Sequence, residues 1–88
     1  MATLHLILFS RAPVEGSTKT RLAQGVGDAA AAAFHVACLR DLLQACADAA
    51  FALRPLRVLR HLCIAPPHDI TAFRAAGLTG LDDFAVHA

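Results

Sequence analysis

The sequence contains no tryptophan, no tyrosine and only three cysteines among its 88 residues. Cys38, Cys46 and Cys63 form no Cys-x-x-Cys pair, so their spacing argues against both a disulfide framework and a zinc knuckle. We expect these thiols to be reduced and buried. Because aromatic side chains are few, the interior must be built from alanine, leucine and other aliphatic residues, a composition that favours helix.

Charge is also scarce. The formal net charge is +1, and charged residues make up 17% of the chain against 57% hydrophobic residues. This composition argues against intrinsic disorder, and the lack of a basic stripe interleaved with aromatic residues argues against nucleic-acid binding. A chain of 88 residues has room for one domain or part of one.

Long hydrophobic runs are missing as well. The apolar run at residues 4–9 follows no cation and is too short for a secretory signal. The uncharged stretch at residues 29–39 falls well short of the ~20 residues that a membrane-spanning helix needs. We therefore predict a cytoplasmic protein that has no membrane partner.

Apolar runs and turn signals divide the chain into alternating strands and helices. The predicted order is a strand at 4–9, a short helical turn at 20–24, a helix at 29–51, a strand at 58–65, a helix at 70–76 and the start of a strand at 84–86. The first run is nearly continuous, which is typical of a strand buried on both faces of a parallel sheet. This βαβα(β) order predicts an α/β fold with right-handed parallel crossovers.

The long helix has one polar and one apolar face. Arg40, Asp41, Gln44 and Asp48 share the polar face, whereas His35 lies in the middle of the apolar face. We expect the Asp28 carboxylate to cap the first turn of this helix, and Asp69 to cap the helix at 70–76.

The connection after the first strand carries the residues most suited to ligand binding. Arg11, Lys19 and Arg21 are three cations directly after a parallel strand, where ligands bind in open α/β sheets, and Gly16 permits close backbone approach. A P-loop is excluded because Thr18 and Pro13 occupy its two glycine positions. Two readings remain open, a phosphate-binding loop and a merely solvated basic loop.

This segment resembles small bacterial glycosyltransferase-like proteins, some labelled arsenosugar-biosynthesis glycosyltransferases, within the nucleotide-diphospho-sugar transferase (GT-A) superfamily. The resemblance lies in Arg11, an Ala-Pro-Val triplet at 12–14, Gly16 and a Lys-Thr-Arg-Leu block at 19–22, with further similarity at 39–41 and 72–74. It implies an incomplete Rossmann-like GT-A sheet, in which residues 1–88 form the N-terminal nucleotide-binding part of a truncated transferase-like domain.

The resemblance implies binding of a nucleotide sugar or a nucleoside diphosphate, with Arg11, Lys19 and Arg21 near the phosphates and Gly16 as the permissive residue. The family also uses a Gly-Ser/Thr-Asp-Cys-Pro segment with a metal-binding aspartate, which these 88 residues lack. We therefore expect no cofactor within this chain, although Mg²⁺ or Mn²⁺ would serve a full-length relative. No catalytic base is identified, and the chain alone is expected to be inactive.

Two alternatives stay open beside the glycosyltransferase-like reading. One is a guanylyltransferase-like nucleotidyltransferase fragment, because a related Lys-Thr-Arg-Leu block occurs in guanylyltransferases of phospholactate metabolism. The other is a non-catalytic truncated remnant, so whether the chain is itself an enzyme is left undecided. Either way, we expect self-association through apolar strand surface that such a short sheet leaves uncovered.

The remaining polar residues favour structural roles. His5, His35, His61 and Cys63 show no spacing typical of metal ligands, so we expect buried, hydrogen-bonded histidines instead. The adjacent Asp82 and Asp83 follow a predicted turn and are expected to be solvated. Asp41 lies on the polar helix face, where an ion pair is expected rather than catalysis.

Overall fold

A computed structural model describes residues 2–16, 20–66 and 69–87 of the chain. The elements are β1 (Thr3–Ser10), α1 (Thr20–Val26), α2 (Asp28–Ala52), β2 (Arg57–Ile64), α3 (Ile70–Ala75), a short 3-10 helix (Leu81–Asp83) and β3 (Phe84–His87). The three strands form one parallel sheet in the order β1-β2-β3. The predicted α/β class and parallel sheet are confirmed.

Within the described residues, helices cover one face of the sheet. Leu62 and Ile64 of β2 are buried against Leu39 of α2 and Phe73 of α3, and Leu62 and Phe73 have no exposed surface. These strand residues are even-numbered, and side chains alternate between the faces of a strand. Right-handed crossovers between strands in sequential order place both connections on the same side of the sheet, which explains the one-sided core.

The opposite face of the sheet, which we call the open face, carries odd-numbered strand residues. Ile7 is 57% exposed and Phe9 is 76% exposed. The expectation that β1 is buried on both faces is therefore wrong for this side. The prediction that β1 is a parallel strand is confirmed, but no described element packs over its odd-numbered residues.

The N-terminal ends of α2 and α3 are capped differently. Gly27, with a φ of 91°, occupies the N-cap of α2 and no side chain caps this end, because Asp28 is already the first helical residue. The predicted Asp28 cap is therefore wrong. Asp69 does cap α3, since its carboxylate accepts a hydrogen bond from the Thr71 amide at 3.0 Å.

Among the helices in residues 2–16, 20–66 and 69–87, none combines the length and the apolar content needed to cross a bilayer.

Candidate functional site

The carboxyl ends of β1 and β2 lie side by side. The Ala65 amide donates a hydrogen bond of 2.9 Å to the Ser10 carbonyl, which continues the parallel pairing past the end of β2. Ligands of open parallel sheets bind outside this edge. The first loop of the chain therefore begins where a ligand is expected.

Two cavities adjoin at this edge, and both are lined by Phe9, Ser10 and Arg11. The first, of about 420 Å³, lies between the ends of β1 and β2 and is completed by residues 63–66. The second, of about 380 Å³, lies between β1 and α2 and includes His35 and Cys38. The Phe9–Arg11 segment thus separates two pockets, each of a size that suits a small ligand.

The backbone around Arg11 is anchored from several directions. Ala12 is 1% exposed within the hydrophobic core, and its carbonyl accepts a hydrogen bond of 2.9 Å from the Val14 amide. The Arg11 carbonyl lies 2.8 Å from the Ser10 hydroxyl, which donates to it, and 3.0 Å from Nε2 of His35. The cation at position 11 is therefore carried on a fixed peptide.

His35 connects α2 to this loop. A carbonyl can only accept, so the 3.0 Å contact requires that Nε2 of His35 carries the proton and donates to Arg11. The other ring nitrogen, Nδ1, is buried and has no hydrogen-bond partner among the described residues. An unpaired buried nitrogen costs free energy, so Nδ1 of His35 lowers the stability of the fold.

The described cations differ in how they relate to the cavities. Arg11 is exposed and lines both of them, and no ion pair to its guanidinium occurs within the described residues. Arg21 is exposed in the first turn of α1 and lines neither cavity. Lys19 lies outside the described residues. Of the predicted phosphate-binding cations that the structure describes, Arg11 lines the cavities at the sheet edge and Arg21 does not.

Gly16 has the backbone conformation that its residue type allows. Its φ is 81°, and a Cβ built there would lie 3.8 Å from the Asp28 carboxylate. The glycine is thus required by a left-handed turn. The nearby carboxylate makes the immediate surroundings of Gly16 less favourable for an anion, so the phosphate role of Gly16 stays a prediction.

Sequence reasoning missed two residues of this site. The apolar run predicts that Phe9 is a buried strand residue, yet this residue is 76% exposed at the edge of the cavities. His35 was correctly placed on the apolar face of α2, but its contact with the Arg11 backbone was not foreseen. The sequence signal that points to such a contact is the position of His35, a single polar residue in the middle of an apolar helix face.

The other polar candidates are engaged elsewhere. Asp82 forms a 2.9 Å ion pair with Arg74, and Asp83 lies 3.8 Å from Arg60. Both aspartates are exposed, as predicted, and Asp41 is exposed on the polar face of α2. The three cysteines are free, as expected, but half-buried rather than buried.

No family model, curated protein or solved structure matches the chain. The function must therefore be argued from the chemistry of the described residues. The cavities at the sheet edge combine the cation of Arg11, whose backbone is anchored, with the exposed aromatic ring of Phe9.

Proposed function

We propose that this chain binds a nucleoside diphosphate or a nucleotide sugar at the carboxyl edge of its sheet, as a glycosyltransferase-like protein. The observation that carries the proposal is that the exposed Phe9 ring and the Arg11 guanidinium, which forms no ion pair within the described residues, both line two adjoining cavities. The two side chains offer an aromatic platform and a cation only two residues apart.

The chemistry of the two groups matches the two ends of such a ligand. A nucleobase stacks on an exposed aromatic face, an interaction that is tolerant of base identity. A diphosphate accepts the forked hydrogen bonds of an arginine guanidinium. Lys19 and Arg21 would add positive charge along the same loop.

The cavities themselves do not fit a bound Mg²⁺ or Mn²⁺. Sites for these hard cations are usually built on carboxylate oxygens, and among the described residues no aspartate or glutamate lines either cavity. The proposal is therefore limited to binding, and no transfer step is assigned to these residues.

Titration calorimetry with UDP and with GDP tests the proposal. Arg11→Ala should weaken binding by about tenfold or more, because a hydrogen bond to a charged group contributes about 1.5–3 kcal/mol. Lys19→Ala and Arg21→Ala should each weaken binding less, and affinity should fall as salt screens the attraction. The matched control is Arg57→Ala, since Arg57 is an exposed arginine at the opposite end of β2.

A second variant separates the base from the phosphates. Phe9→Ala should lower the affinity for UDP and GDP, because stacking contributes about 1–3 kcal/mol per base, but it should leave the affinity for inorganic pyrophosphate unchanged. Equal affinities for nucleotide in Arg11→Ala, Phe9→Ala and Arg57→Ala would show that these cavities do not bind it.

A further inference from the structure

Three histidines, one from each strand, form a continuous row across the open face. Nδ1 of His5 lies 2.9 Å from Nε2 of His61, and Nδ1 of His61 lies 3.0 Å from Nε2 of His87. We call these three residues the histidine row. His61 is paired in register with Ile7 and Ala85, so the row crosses the sheet diagonally, two residues away from each register partner.

His61 uses both ring nitrogens in the row, one as a donor and one as an acceptor, whereas His5 and His87 use one nitrogen each. A neutral imidazole has one N–H and one lone pair, so each nitrogen-to-nitrogen contact holds a single shared proton. His5 and His87 are exposed and His61 is half-buried, which makes the expectation of buried histidines wrong for His5. The row is therefore open to solvent, and a cation can bind between two of its rings only by displacing the proton that they share.

We propose that the histidine row binds a borderline divalent transition metal such as Zn²⁺ between Nδ1 of His61 and Nε2 of His87, with the Cys63 thiolate as a third ligand. Imidazole nitrogen and thiolate sulfur are the ligands that such ions prefer. Cys63 is the register partner of His87 and lines a cavity of about 280 Å³ together with all three histidines.

The separation of the ring nitrogens is close to what a metal requires. Two nitrogens bound tetrahedrally at ~2.0–2.1 Å lie about 3.3 Å apart, so the observed 3.0 Å needs to widen by a few tenths of an ångström, and both rings must turn so that their lone pairs converge on the ion. Within the described residues, no three candidate ligands already surround one point. This is expected of the hydrogen-bonded row, because His61 directs one nitrogen to each neighbour.

His5 acquires a supporting role in this arrangement. When Nδ1 of His61 binds the metal, its proton is on Nε2, which then donates to Nδ1 of His5. A hydrogen bond to the far nitrogen of a ligating histidine fixes its tautomer and ring orientation. His5 is therefore a positioning residue, whereas His61 and His87 bind the ion directly.

Titration of the reduced, full-length chain with Zn²⁺ and with Co²⁺ tests this site. We expect one ion per chain, and Co²⁺ should give the near-ultraviolet charge-transfer absorption of a bound thiolate. His61→Ala and His87→Ala should each weaken Zn²⁺ binding by more than about tenfold, the loss that follows even when only an outer hydrogen-bond partner of a ligand is removed. Cys63→Ser should abolish the thiolate band.

The controls separate the row from other histidines and from misfolding. His35→Ala removes an imidazole from α2, outside the row, and should leave Zn²⁺ affinity unchanged. His87 is exposed in the last strand, so His87→Ala should retain the far-ultraviolet circular dichroism of the parent chain. Two results would overturn the proposal and show that the row forms surface hydrogen bonds alone. One is an unchanged Zn²⁺ affinity in folded His87→Ala, and the other is a loss of Zn²⁺ affinity in His35→Ala equal to that in His61→Ala.

Discussion

Replacement of His35 by leucine should separate stability from ligand binding. The substitution removes the 3.0 Å hydrogen bond to the Arg11 carbonyl, which contributes about 0.5–1.5 kcal/mol. It also removes Nδ1, a buried nitrogen unpaired within the described residues, whose desolvation costs about 1–3 kcal/mol. The Arg11 carbonyl keeps its 2.8 Å bond from the Ser10 hydroxyl, so the substitution leaves no new unpaired group.

Loss of the hydrogen bond lowers the stability of the variant, whereas loss of the unpaired buried nitrogen raises it. The second effect is the larger on average, so the variant is expected to be slightly more stable than the parent chain. We expect the free energy of unfolding of His35→Leu to lie between about 0.5 kcal/mol below and about 2.5 kcal/mol above that of the parent chain, with a central value about 1 kcal/mol above it. In thermal unfolding, a gain of 1 kcal/mol corresponds to a rise in Tm of about 4–8 °C for a domain of this size. UDP affinity should fall by about two- to tenfold, because α2 no longer fixes the peptide that carries Arg11.

Leu39→Ala provides the comparison on the same helix face. Leu39 is 2% exposed, and its truncation should cost about 2–5 kcal/mol. A loss of stability in His35→Leu of similar size to that in Leu39→Ala would refute the reasoning, because it would mean that both ring nitrogens of His35 make favourable contacts. Unchanged UDP affinity would show that the Arg11 peptide does not need this anchor.

Three further measurements check the packing. In chemical denaturation, Asp69→Ala should lower the free energy of unfolding by about 1 kcal/mol, because it removes a formed cap. Asp28→Ala should lower it by less, because Asp28 does not cap α2 and interacts favourably with the helix dipole. Phe73→Ala should cost about 3–5 kcal/mol, while Phe9→Ala, at 76% exposure, should leave the unfolding free energy nearly unchanged. In sedimentation velocity, Ile7→Lys should reduce any self-association, and an unchanged size distribution would show that the open face does not mediate it.

Local signals were sufficient to predict most elements to within one or two residues. The bounds of β1 and the Asp69 cap are examples, because strand formation and capping depend largely on residues that are neighbours in the sequence. The predicted Asp28 cap failed by one position, because Gly27 reaches a φ of 91° and takes the N-cap itself. The GT-A identity of the sheet remains a proposal that rests on the resemblance of the first loop.

Contacts between distant segments could not be predicted in the same way. His5, His61 and His87 meet because of a strand register that no local pattern specifies, since the pairing depends on the connections and on which face is covered. The spacing of these residues in the sequence therefore gave no indication of a metal site. The contact between His35 and the Arg11 carbonyl likewise depends on how α2 crosses the end of β1.

The two proposed sites share Cys63, which predicts that they influence each other. Cys63 lines the cavity at the sheet edge beside Phe9 and Arg11, and it also lines the cavity of the histidine row. A divalent ion held by this thiolate would add positive charge next to the proposed diphosphate site and should strengthen nucleotide binding. Coupling between two ligands is reciprocal, so UDP should raise Zn²⁺ affinity by the same factor as Zn²⁺ raises UDP affinity.

Calorimetric titration of UDP with and without saturating Zn²⁺ measures this factor, and Cys63→Ser should reduce it toward one. Free UDP also binds metal ions, so the His87→Ala variant is titrated under identical conditions to correct for this. Enhancement of equal size in the parent chain and in His87→Ala would assign the effect to metal-bound UDP in solution and would show that the two sites are independent.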